Sequence, residues 1–84
     1  MYLGYNKQLQ RYGVLSFDLW ECDGLHCGQT FQVKIDSDWV DTRIEYSDDS
    51  YHFDGWYLVG YPKVQLEGLK FRWSDDENEE LGCY

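Results

Sequence analysis

The chain has 84 residues, 43% of them hydrophobic and 19% aromatic, with sixteen Asp and Glu against seven Lys and Arg and a formal charge of -9. That apolar share excludes the signature of a disordered chain, and the length allows one domain with a thin core, folding burying only about 60% of the surface exposed when unfolded. The acidity sets the chain against nucleic acid and anionic lipid and toward basic protein surfaces, and no apolar run approaches the ~20 residues that span a bilayer.

The opening Met1-Tyr2-Leu3-Gly4-Tyr5-Asn6-Lys7 lacks the basic-then-apolar order of a signal peptide, so a cytoplasmic protein is expected. Strand signals follow in five runs. Tyr12 to Trp20 alternates Leu15, Phe17 and Leu19 with Ser16 and Asp18, although Val14 and Trp20 make its other face apolar too. Thr30 to Ile35 puts Phe31, Val33 and Ile35 on one face and Gln32 and Lys34 on the other. Asp36-Ser37-Asp38 then turns the chain into Trp39 to Tyr46, where Val40, Thr42, Ile44 and Tyr46 alternate with charged residues, which predicts a hairpin. Trp56 to Val59 is apolar on both faces, as a central strand would be, and Gly60 and Pro62 end it. Leu69, Phe71 and Trp73 alternate with Lys70 and Arg72 in the fifth run. Ser74 with Glu77 resembles a capping box, predicting one short helical turn near residues 75–81.

The expected fold is mainly β: a five-stranded antiparallel sheet or SH3-like barrel with a short C-terminal helical turn. It forms a single domain over residues 1–84, with a core over about 12–73 and an acidic tail over 74–84.

Three cysteines cannot all pair within one chain, and a reducing compartment disfavours disulfides, so Cys22, Cys27 and Cys83 read as free thiols or metal ligands. In an up-and-down meander the loop holding Cys22, His26 and Cys27, the loop holding His52 and the end of the fifth strand all reach one edge. Three thiolates and one imidazole make a tetrahedral structural zinc set, with His52 favoured over His26 because His26 adjoins Cys27 in the chain. Against it, four residues separate Cys22 from Cys27, more than zinc knuckles use. The alternative leaves Cys27 a small buried hydrophobe and both histidines exposed or hydrogen-bonded.

Seven carboxylates lie between Asp36 and Asp54 against Arg43 alone. Asp36, Asp38, Asp41, Asp48 and Asp49 there, with Asp75, Asp76, Glu77, Glu79 and Glu80 in the tail, are candidate contacts to a basic groove on a partner, or a solvated face. No nucleophile, base and pocket come together in the pattern, so a non-enzymatic role is expected. Sixteen aromatic residues exceed what so small a core can hold, and exposed Tyr and Trp serve as interface anchors.

The stretches Gly24-Leu25-His26-Cys27-Gly28, Trp39-Val40-Asp41-Thr42-Arg43-Ile44-Glu45-Tyr46, Trp56-Tyr57-Leu58-Val59-Gly60 and Leu66-Glu67-Gly68-Leu69 resemble a family of small uncharacterised proteins of phages and mobile elements in Gram-positive bacteria. The resemblance covers about residues 12 to 73, and Cys22, His52, Cys83 and the acidic tail depart from it. In size and charge the chain is similar to type II-A anti-CRISPR proteins. That likeness implies an inhibitor of an RNA-guided effector nuclease, blocking guide or target DNA loading at its positively charged channel without contacting nucleic acid directly. An accessory interaction protein of a mobile element and a small structural zinc protein are the other expectations.

Overall fold

Period-two alternation of apolar and polar residues dictates strands, and a computed structural model describing residues 1–74 contains seven of them and, among those residues, no helix. They are β1 (Tyr2–Asn6), β2 (Arg11–Ser16), β3 (Leu19–Cys22), β4 (Thr30–Ile35), β5 (Asp38–Tyr46), β6 (Trp56–Leu58) and β7 (Phe71–Arg72). The helical turn expected near 75–81 lies outside the described residues.

Two antiparallel sheets result, one ordered β1-β2-β3 and the other β6-β5-β4-β7. The predicted hairpin is β4–β5, registered from Ile35 opposite Asp38 to Thr30 opposite Arg43. Its two linking residues, Asp36 and Ser37, both have positive φ, 52° and 75°, the geometry of a two-residue turn whose twist matches that of the strands. The first run departs from expectation. It is a second tight hairpin, because Phe17 and Asp18 also take positive φ, 52° and 64°, and set Ser16 opposite Leu19.

β1 pairs with β2 along all five of its residues and buries Leu3 completely, so the core begins near residue 2 rather than near 12. The last strand also departs from the meander: β7 lies beside β4, with both β4 and β5 between it and β6. Burial is the reason. Leu66, only 1% exposed, anchors the chain on its return across the core, and Phe71 enters the core between the sheets. The stretch before β7 then pairs in both directions. Lys34 N–H donates to Lys70 O on one side (3.1 Å), while Leu3 N–H donates to Leu69 O (2.8 Å) and Phe71 N–H to Met1 O (2.9 Å) on the other. This seam joins the two sheets, with β3 and β6 left as edges, so the barrel alternative is not realised.

Leu3, Val14, Leu25, Phe31, Val33, Ile44 and Leu58 are fully buried, each such side chain stabilising the fold by about 1.5–3 kcal/mol. Leu25 sits in a loop yet is core, held by its N–H donating to Tyr12 O (2.7 Å). Across the domain, Trp56 Nε1–H donates to Gln10 O (3.1 Å) and the buried Tyr12 hydroxyl donates to Asp54 Oδ2 (2.9 Å).

Burial, and then the Asp54 carboxylate, push the Tyr12 phenol well above its ordinary pKa of 10.0. A phenol whose pKa is raised by folding contributes stability that is present below pH 10 and lost as pH rises toward its folded value. Urea titrations at increasing pH should therefore show stability falling above pH 10. Tyr12→Phe should flatten that fall and cost about 1–3 kcal/mol at neutral pH, because Asp54 loses its donor. An unchanged alkaline slope in the variant would show that Tyr12 is not its source.

Candidate protein-binding site

Of the sequence-predicted metal donors, Cys22, His26, Cys27 and His52 lie toward one end of the molecule, and among the described residues they do not converge on a metal site. The loop over 23–29 is tied to β5 by Gly28 N–H donating to Ile44 O (2.7 Å), and the loop over 47–55 leaves the same end of β5, closed by Ser47 N–H donating to Gly55 O (2.9 Å). Cys22, however, is buried at the end of β3 and disulfide-bonded, which corrects the expectation of a free thiol or thiolate there. Cys27 is a free, exposed cysteine. His26 is exposed, with the Arg11 guanidinium 3.4 Å from its Nδ1. His52 is half-buried, its Nε2 without a hydrogen-bond partner and its ring edge-on to Tyr51. Among the described residues no three metal-ligating side chains converge. Cys83 lies outside them.

The predicted acids divide. Asp36 and Asp38 occupy the β4–β5 turn, and Asp48 and Asp49 follow the other end of β5, a nine-residue strand that separates them by roughly 26 Å at ~3.3 Å per residue. Asp41 is committed to a neighbour, accepting from Gln32 Nε2 (2.9 Å). Asp75, Asp76, Glu77, Glu79 and Glu80 lie outside the described residues.

An exposed apolar group stands where the sequence pattern gave no signal. At the β2–β3 turn Phe17 is 95% exposed, and Leu19 beside it is 72% exposed. Phe17 is doubly disfavoured, since water surrounds an aromatic ring whose backbone adopts a left-handed conformation suited to Gly or Asn. The turn is nonetheless pinned. The Tyr2 hydroxyl donates to Asp18 Oδ1 (2.7 Å), and that hydrogen bond, with smaller effects of desolvation and the carboxylate charge, raises the Tyr2 pKa. Behind it the Trp20 indole lies over Gly4 and Gly13, which face each other across β1 and β2. Only flanking strands could have located this turn, because Phe17-Asp18 lacks the glycine or asparagine that marks two-residue hairpins, and Asp18 by itself is a weak signal.

Residues 1–73 match a family described as a domain of unknown function, DUF5348. The chain belongs to the DUF5348 family. A structural-genomics crystal structure of a protein from Ruminococcus gnavus is similar to it, with 39% identity over 83% of this chain and 93% of that one and a TM-score of 0.65. No curated protein matches the sequence. The DUF5348 match begins at residue 1, where the sequence reading began the resemblance near residue 12, and this agrees with the place of β1 in the core. Among the described residues of this DUF5348 domain no helix is long and apolar enough to cross a membrane.

A second exposed aromatic group of the domain lies in the 47–55 loop. Phe53 is fully exposed and Tyr51 largely so, next in sequence to Asp48 and Asp49. The loop is held at its base, where Asp54 Oδ1 accepts from Trp56 N–H (3.0 Å) while its other oxygen accepts from Tyr12.

Proposed function

We propose that this DUF5348 domain is a non-catalytic interaction module that inserts the β2–β3 hairpin into an apolar pocket on a partner protein with a basic surface. The exposure of Phe17 in a strained, pinned turn carries this reading: folding alone would favour another residue there, whereas a binding anchor gains from a large ring carried on a fixed backbone. Glu21, exposed on β3 beyond the ring, and the excess of carboxylates over the chain support a basic rim on the partner. The partner proposed from the sequence is a type II-A RNA-guided nuclease, the domain acting as a phage-encoded inhibitor of guide or target loading; a different partner within a mobile element is the second reading.

Phe17→Asn separates binding from folding. Asn tolerates the left-handed conformation, so stability should hold or rise by about 0.5–1 kcal/mol. Affinity for the partner should fall about 30-fold or more, the loss of an interface anchor of ~2 kcal/mol or greater. Full affinity in the variant would remove the hairpin from the interface. Wild-type protein that neither binds the nuclease nor reduces DNA cleavage in molar excess would end the nuclease assignment and leave the mobile-element partner. Charge reversal of Asp36 with Asp38, and separately of Asp48 with Asp49, should weaken binding in one pair only, because the two pairs occupy opposite ends of β5.

A further inference from the structure

The face of the second sheet that points away from the core carries a basic row in an otherwise acidic protein. Antiparallel register sets Trp39 opposite Lys34, and a bridge sets Tyr2 opposite Lys70. Between them, the β4–β7 register of Gln32 with Arg72 and Val33 with Phe71, continued by the hydrogen bond from Lys34 N–H to Lys70 O, puts the two lysines directly across from each other. Residues opposite one another in a sheet project to the same side. Trp39, Lys34, Lys70 and Tyr2 therefore form one line across β5, β4, the β7 seam and β1, about 14 Å from end to end at ~4.8 Å per strand.

Like charges directly opposite each other destabilise a sheet. Among the described residues neither lysine has an ion-pair partner to offset that repulsion. Sixteen carboxylates were available to the sequence for that purpose. A third cation stands beside the pair already oriented, the Arg72 guanidinium lying 4.4 Å over the Trp39 ring with its Nε–H donating to Gln32 Oε1 (2.6 Å). The row borders a groove of about 570 Å³ lined by Tyr2, Trp39, Gly68, Lys70 and Arg72 among others.

We propose that this groove binds a small aromatic phosphate monoester, of the class of a nucleoside monophosphate. The phosphate dianion sits between Lys34, Lys70 and Arg72, relieving their repulsion through charge-assisted hydrogen bonds, and the base packs against a flanking ring of Trp39 or Tyr2. Size and surrounding charge select a compact anion over a polymer. Asp18 at the Tyr2 end, Asp36 and Asp38 at the hairpin end and the net charge of -9 would all repel a longer polyanion. The site borders the Phe17 turn at its Tyr2 end but uses neither Phe17 nor the protein partner proposed above.

The test is an amide NMR titration of the full-length protein with adenosine monophosphate to about 10 mM, a range that detects binding as weak as −4.1 kcal/mol, a Kd of ~1 mM. Saturable shifts are expected at Lys34, Lys70, Phe71 and Arg72 and at the Trp39 indole. Lys34→Gln with Lys70→Gln should weaken binding at least tenfold while Arg43→Gln leaves it unchanged, and the double variant should fold at least as well as the wild type because it loses a repulsion. Absent shifts, shifts mapping elsewhere, or an unaffected double variant would overturn the site. Inorganic phosphate binding as tightly as the nucleotide would overturn the aromatic part, and adenosine doing so would overturn the phosphate part. A short single-stranded oligonucleotide binding more tightly than the monophosphate would overturn the compact ligand in favour of nucleic acid.

Discussion

Phe71→Ala is expected to destabilise the domain by about 3–5 kcal/mol, the range for removing a buried Phe. The total stability of a domain is only about 5–15 kcal/mol, and small domains lie toward its lower end. The ring is 2% exposed, tilted against Phe31 with centroids 4.9 Å apart and edge-on to Trp73 at the same distance. Its backbone belongs to the seam between the sheets, so a cavity there loosens β4 from β1 as well as removing apolar contact. Urea denaturation followed by tryptophan fluorescence measures the effect. Arg72→Ala, which changes an exposed neighbour on the same strand, should cost less than about 1 kcal/mol. Similar losses for the two variants would mean that the seam is not where the sheets are held together.

Gly13→Ala should cost about 1–3 kcal/mol, and more than Gly4→Ala, although the two glycines are cross-strand partners. A Cβ on Gly13 would press on the Cys22 carbonyl oxygen, come within 2.8 Å of the Trp20 ring and within 3.0 Å of the Asp23 carbonyl carbon. Backbone cannot rotate out of the way. At Gly4 the main obstacle is Leu15 Cδ1, 2.5 Å away, the free end of a side chain that can change rotamer. The register of β2 with β3 shifts between Val14 and Leu15, beside Gly13, so the displaced strand is the one that carries Leu19 and Trp20. Thermal unfolding of both variants gives the comparison, and equal losses would show that β3 yields as easily as Leu15 does.

The acids and exposed aromatics were legible as residue types, but their grouping was not. Sequence proximity groups Asp48 and Asp49 with Asp36 and Asp38, whereas β5 holds the two pairs at opposite ends. Cys22, His26 and Cys27 lie close in sequence, yet Cys22 turns into the core while the other two face solvent. Nearness in sequence says little about direction where a strand passes into a loop, because one residue of offset moves a side chain to the other face. The Phe17 turn stayed hidden for a different reason: its backbone strain is tolerated, and no local preference announces it.

By itself the sequence determined the β class, the hairpin over residues 30–46 and the faces of its strands, since Phe31, Val33 and Ile44 could be assigned to the core from period-two alternation. Alternation assigns a face but never a neighbour. That β7 lies beside β4 and the seam before it beside β1, that Lys34 therefore meets Lys70, and that β1 belongs to the core were decided only in the folded chain. Pairing between distant strands is chosen by which arrangement buries Leu3, Leu66 and Phe71 together, a sum over the whole core that no short window of sequence contains.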